Sequence, residues 1–309
     1  MAESAIVSIC IITYNQERYI EHAIKGALAQ KTNFSFEIVL SDDGSTDATP
    51  EICKKYVEQY PGLVRFIQQE QNLGTGKHWI AALQECHGKY VALCEGDDYF
   101  SCEAKIQKQF EFMERSPEYS LCSHEVFVEH EVLSRTLKAA AGVWIDNLRL
   151  SGVSSIAGLA YASLFNHDEF WRRRRMYRGN RRFREAGFAE ILKAQLESRY
   201  IHTVSMFARS DPLKKFPPEF LQVAGFHRAI IIWLSLSGSV KHDSKVMSTR
   251  VIQSTSSAVT KRERSAFRKR GGHKNSIVRF LTMLQTYCSP SQRKTIKEYL
   301  RRKAMVLRE

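Results

Sequence analysis

No stretch of the 309 residues approaches eighteen uncharged apolar positions, so no membrane-spanning helix is expected. No basic segment precedes the short apolar run at residues 6–12, and Glu3 is the one charge before it, so no export signal is expected. Seven cysteines are present, yet none forms a CxxC pair or a metal-type spacing with histidine. Reduced thiols in a cytoplasmic protein are therefore expected. Internal repeats and low-complexity linkers are missing too. With 43% hydrophobic and 26% charged residues, the composition excludes a disordered or collagen-like chain and fits one large buried core or two small ones.

Positive charge is scarce at the front and concentrated at the back. Residues 1–100 carry 8 Lys/Arg against 14 Asp/Glu, residues 101–260 carry 23 against 16, and residues 261–309 carry 15 against 3. The formal net charge of +13 thus belongs to the second half, and an anionic partner is expected there: phospholipid, a phosphorylated substrate or nucleic acid.

The first hundred residues alternate strand and helix signals. Apolar runs at 6–12, 36–40, 63–67 and 90–94 suit parallel strands buried on both faces. Between them, Ile20, Ala23, Ile24, Ala27 and Leu28 share a helical face, as do Ile52, Tyr56 and Tyr60. A third helix is predicted over 77–86 with Ile80 and Leu83 inward. Ser45, Thr46 or Asp47 can cap the second helix, and Pro50 is tolerated in its first turn. This order predicts an α/β fold with a parallel sheet covered by helices, whose ligands bind beyond the carboxyl ends of the strands. Further on, 103–115 predicts a helix, 120–128 a strand, 189–196 a helix and 202–208 a strand. Residues 229–236 fit either element, and two amphipathic helices are predicted over 277–287 and 292–307.

Four polar clusters fall at those strand ends: Thr13-Tyr14-Asn15, Asp42-Asp43-Gly44, residues 72–74, and Glu95-Gly96-Asp97-Asp98. Adjacent carboxylates repel unless a cation or protons neutralise them, and a hard divalent cation suits oxygen ligands. Such pairs also occur in ordinary loops and caps. Tyr14 can stack on a base, Asp43 can accept from a base N–H, and Thr13 can add a polar contact.

The strings VSICIITYNQERYIEHAIKGALAQ, FEIVLSDDGSTDAT, NLG and GKYVALCEGDDYFSCEAKIQKQFEFM, in this order over roughly residues 5–128, resemble the family-2 inverting glycosyltransferases of bacterial surface-polysaccharide type. The resemblance implies a GT-A fold, a Rossmann-like mixed and mostly parallel sheet flanked by helices, here followed by a basic helical extension. Three regions are expected: a nucleotide-sugar-binding half at 1–128, an acceptor-binding half at 129–255 and a basic tail at 256–309. The resemblance further implies that Thr13, Tyr14 and Glu17 border the nucleotide of a donor, with UDP expected, and that Asp43 contacts its base. It places Asp97 near the ribose and Asp98 on a Mn or Mg ion.

The second half departs from that family. Its members carry a Gly-Asp before an apolar helix, the Asp serving as base for the acceptor hydroxyl; here the matching positions hold Phe226 or His227. His227 is the titratable candidate, with Glu219 or Asp211 as substitutes and a structural histidine as the alternative. VMSTRV matches a usual VMSVYRVH string, with Ile252 where histidine is usual. His124 sits where similar enzymes also show histidine, and His202-Thr203-Val204-Ser205 resembles a family segment before a strand that lines the acceptor side; a structural role is the alternative for each. Arg172, Arg173, Arg174 and Arg175 open an arginine run suited to phosphate contacts, either on a membrane surface or on a lipid-linked glycan acceptor. Ile277, Phe280, Leu281 and Leu284 fit either anchoring at the inner face of the cell membrane or packing against the catalytic domain. A nucleic-acid-binding protein is disfavoured by the acidic first hundred residues and by the lack of any such motif. A sugar nucleotidyltransferase is disfavoured because Tyr14, Asn15, Gln16 and Glu17 stand where a glycine-rich phosphate loop is needed. A donor-binding protein that has lost catalysis stays open.

Overall fold

A computed structural model describes residues 5–130, 185–196, 201–222, 226–252 and 272–306. The front half follows the predicted alternation: β1 (Val7–Thr13), α1 (Ile20–Leu28), β2 (Phe36–Asp42), α2 (Thr49–Gln59), β3 (Val64–Gln68), α3 (Thr75–Gln84) and β4 (Tyr90–Glu95). All seven residues of β1 are buried, as a strand between two helical layers requires. β1 pairs in parallel with β2 and β4, and β2 with β3, giving the order β3-β2-β1-β4.

The rest of the chain extends the same sheet with mixed directions. After β5 (Tyr99–Phe100) come α4 (Lys105–Arg115), β6 (Tyr119–His130), β7 (Glu185–Ala186), α5 (Phe188–Leu196), a 3-10 turn (Thr203–Ser205) and β8 (Phe207–Arg209). Then follow α6 (Ser210–Lys214), a 3-10 turn (Pro218–Gln222), α7 (Phe226–Ser237), β9 (Ser239–Ile252), α8 (Gly272–Leu284), a 3-10 turn (Gln285–Tyr287) and α9 (Pro290–Val306). β8 runs antiparallel between β4 and β6, and β9 lies parallel to β6. β5 and β7 pair antiparallel with β9, completing nine strands among the described residues. The expected strand at 202–208 is thus a 3-10 turn followed by three strand residues. The ambiguous segment at 229–236 is helix, with Ala229, Ile230, Ile231, Ile232 and Leu234 buried.

Strand alternation divides the core between the two faces of the sheet. Val7, Ile9 and Ile11 face α1, α2 and α4 through Ile20, Ile24, Cys53, Ile106 and Met113. Cys10 and Ile12 face the side of α3, α7 and the tail, with Trp79, Leu83, Phe226 and Ile230. The tail belongs to this second core. Phe280, Leu281, Leu284 and Ile296 are at most 2% exposed, and the Phe280 ring meets Phe220 edge-on at 5.1 Å. Burying side chains of this size stabilises by about 1.5–3 kcal/mol each, so the stripe of α8 is core packing and is not turned outward as an anchor. The side chain of Ile277 lies outside the described ones.

One cation is trapped inside. Lys105 on α4 is fully buried, its Nζ donating to Gln109 Oε1 at 2.8 Å and standing 4.0 Å from the Phe100 ring centre. Burial pulls its pKa down to about 7. All seven cysteines are free thiols.

Candidate active site

The polar clusters do converge, and their turns are stitched together by main-chain bonds. Asp43 N–H donates to Thr13 O at 2.9 Å, and Gly96 N–H to Ile12 O at 2.8 Å, joining the ends of β2 and β4 to β1. A Cβ on Gly96 would lie 2.5 Å from Gln16 Oε1 and 2.8 Å from Thr13 Oγ1, so a side chain there would displace the Gln16 and Thr13 side chains that join these turns. Asn15, with φ of 51°, accepts from Thr46 N–H at 2.8 Å, and its own N–H donates to Ser45 Oγ at 2.8 Å. Glu17 and the start of α2 exchange bonds: Ala48 N–H donates to Glu17 Oε2 at 3.0 Å, and Glu17 N–H to Asp47 Oδ2 at 3.1 Å. Asp47 also takes Thr49 N–H at 3.0 Å, but from one residue before the N-cap, which is Ala48 and has no side-chain bond, so none of Ser45, Thr46 and Asp47 is the cap itself.

Asp43 is 2% exposed and accepts Leu73 N–H at 2.8 Å and Gly74 N–H at 3.1 Å, binding the Asn72–Leu73–Gly74 loop to β2. Each carboxylate oxygen has a second lone pair, so acceptor capacity remains. Behind it, buried Ser41 Oγ and His78 Nε2 bond at 2.8 Å, tying β2 to α3. Tyr14, by contrast, is 45% exposed at the crevice and free to stack on a flat ligand.

The acid cluster is the electrostatic centre. Glu95, Asp97 and Asp98 each offer an oxygen within 4.8 Å of the others. Asp98 is 2% exposed, and one oxygen accepts Val251 N–H of β9 at 2.9 Å. Burial, then Asp97 and Glu95, push its pKa well above the ordinary carboxylate value. Three carboxylates this close need a proton or a cation, and an all-oxygen set suits Mg or Mn. The residues therefore fit a divalent metal.

His227, in the first turn of α7, points into this cluster. Its Nε2 lies 2.9 Å from Glu95 Oε1, with the side chains 40% and 24% exposed. Burial tends to lower the histidine pKa, but the charge and hydrogen bond of Glu95 outweigh it, and the net shift is upward. Burial likewise tends to raise Glu95, while His227 and Arg250 hold it below its usual value. A nitrogen facing a carboxylate carries the proton, which leaves the lone pair of neutral His227 on Nδ1. The neighbouring Phe226 is 5% exposed and stacks on Trp79 at 5.6 Å, fixing the start of α7. Of the two aligned positions, His227 is thus the one presented to the crevice.

Glu95, His202 and Arg250 complete the surroundings, and the sequence reading assigned none of them a role at the metal or base. Arg250 Nη1 stands 3.3 Å from His202 Nδ1, and burial followed by Arg250 pulls His202 down to about 4. The signal for Glu95 was its place directly after a buried strand and before Gly96. His124 is elsewhere: 1% exposed, bonded to Glu125 O at 2.8 Å and forced well below its usual pKa, firstly by burial. Glu219 accepts the Tyr287 hydroxyl at 2.7 Å beside the tail. Asp211 sits in α6, which follows β8. Arg172, Arg173, Arg174 and Arg175 lie outside the described residues.

Comparison with known proteins agrees with this geometry. The chain is 44% identical to the Mycobacterium tuberculosis protein Rv1520, itself uncharacterised, over 125 residues, or 40% of this chain and 36% of that one. It is 32% identical to the putative teichuronic acid biosynthesis glycosyltransferase TuaG of Bacillus subtilis over 125 residues, 40% of this chain and 48% of TuaG. These matches span less than two thirds of either relative. In three dimensions it resembles Staphylococcus aureus TarS, with a TM-score of 0.53 and 19% identity over 79% of this chain and 60% of the TarS chain; TarS is also known in complex with UDP-GlcNAc. The model for glycosyl transferase family 2 matches residues 8–187, more than half of the chain; with a GT-A-like sheet flanked by helices, the protein belongs to that family.

Proposed function

We propose that this protein transfers a sugar from a nucleotide-diphosphate donor, with UDP as the base-bearing half, to an acceptor hydroxyl with inversion. The observation that carries this reading is the cluster of Glu95, Asp97 and Asp98 with His227 set 2.9 Å from Glu95. Tyr14 stacks on the base, while Thr13, Glu17 and Asp43 border the nucleotide by holding its loops in register. Asp97 lies toward the ribose. Asp98 and its acidic neighbours hold a Mn or Mg ion, which when bound offsets charge on the departing diphosphate. The acceptor is a lipid-linked glycan of bacterial surface polysaccharide, supported by the teichuronic acid assignment of TuaG, with Arg172, Arg173, Arg174 and Arg175 on its phosphates.

In the transfer, the acceptor oxygen bonds to the anomeric carbon from the face opposite the diphosphate. The bond from that carbon to the diphosphate oxygen breaks, and the leaving group takes the electron pair. His227 Nδ1 receives the acceptor proton, and Glu95 stabilises the resulting imidazolium through Nε2–H. A carboxylate–imidazole pair thus replaces the lone Asp of the family. A transfer assay with UDP-sugars and lipid-diphosphate acceptors tests the reading. Asp98→Ala should abolish turnover in a folded protein, and EDTA should do the same to wild type. Full activity in either case would remove the metal assignment.

A further inference from the structure

The tail leaves one surface unaccounted for. In α9, Arg293, Lys294, Lys297 and Arg301 are all exposed. Their offsets place them within about 100° of arc on a helix some 25 Å long. Ile296 is fully buried, while Tyr299 and Leu300 pack against the core, so the apolar side of α9 is already occupied. Gln292 fixes the helix by donating to Leu236 O at 3.2 Å. Glu298 is the one acid in the helix. On α8, Arg279 adds another exposed cation.

We propose that this face of α9 docks the protein on an anionic phospholipid surface without inserting into it. Charge complementarity selects the partner: residues 261–309 carry 15 Lys/Arg against 3 Asp/Glu. With Phe280, Leu281, Leu284 and Ile296 turned inward, Val278 is the one exposed large apolar side chain among the described residues of these two helices, too little to form a stripe that enters the bilayer. The basic arc carries no aromatic side chain, whereas single-stranded nucleic acid is held by stacking platforms between its cations. Binding is thus electrostatic and screened by salt. It does not depend on the transfer activity.

The full chain is sedimented with phosphatidylcholine vesicles, with and without phosphatidylglycerol, at low and high salt. Wild type should bind only the anionic vesicles and dissociate at high salt. R293Q/K294Q/K297Q/R301Q should bind at least tenfold more weakly. Substituting Lys54, Lys55, Lys108 and Arg115 by Gln, an equal loss of charge elsewhere, should leave affinity near wild type, with melting temperatures confirming that both variants fold. Salt-resistant binding, equal affinity in the α9 variant, equal weakening in the control, or tighter binding to RNA than to vesicles would each overturn the proposal.

Discussion

Replacing Lys105 by Met should make the protein's stability advantage depend on pH in a calculable way. The lysine is fully buried against Phe100 and Gln109, and its pKa falls from 10.5 to about 7. The unfolded chain therefore binds more protons than the folded one between these values, so wild-type stability rises with pH across that window. Integrating the linkage, the buried ammonium costs about 4 kcal/mol near pH 7 and only about 2 kcal/mol near pH 9. Methionine carries no charge and keeps most of the volume. Its substitution also orphans Gln109 Oε1, at about 1–3 kcal/mol, so the absolute difference at one pH is ambiguous. The slope is not: that loss is the same at both pH values. Chemical denaturation should show wild type gaining about 2 kcal/mol on Lys105→Met between roughly pH 7 and pH 9. Parallel stability profiles would mean that the ammonium reaches water or a counter-ion, refuting the burial argument.

Asp43→Ala removes two charge-assisted bonds to Leu73 and Gly74, and should cost about 1.5–3 kcal/mol of stability along with nucleotide affinity; unchanged denaturation and unchanged calorimetric affinity would return Asp43 to the ordinary turn residues. His227→Ala should lose roughly 10²–10⁴-fold in turnover while still binding donor, and near-wild-type turnover would place the base elsewhere. Because Glu95 holds the histidine above its usual value, the acid limb of wild-type kcat/KM should lie above about pH 6.5, activity falling as pH drops through it; a limb below that value would dissolve the pair.

The front of the fold was legible because buried parallel strands announce themselves as unbroken apolar runs, and the helices between them as 3.6-residue stripes. Even helix starts came within a few residues, as with 77–86 against the observed Thr75–Gln84. The back was less legible for physical reasons. β9 contains Lys241, His242, Asp243 and Lys245, whose polarity hides a strand at the sheet's far side. β8 has three residues and β5 has two, too short for any periodicity. The stripe of α8 was visible, but an amphipathic face does not state what covers it; Phe220, which meets Phe280 edge-on, lies sixty residues away in sequence.

The site shows the same division. Single residues at strand ends were readable from their position, while the pairs that give them meaning were not. Glu17 and Asp43 matter through backbone amides at Ala48, Leu73 and Gly74, which no side-chain pattern reveals. His227 and Glu95 are 132 positions apart, brought together because α7 begins where Phe226 locks onto Trp79. If His227 is the base, as proposed above, that contact holds it where the family's Asp is missing. A carboxylate base needs only to be near the acceptor hydroxyl, whereas an imidazole base also needs its far nitrogen held and its cation balanced. In the proposed mechanism Glu95, drawn below its usual pKa by His227 itself, would meet both needs. A Glu95→Gln protein should accordingly keep the hydrogen bond but lose the charge, and the acid limb of whatever activity remains should move downward.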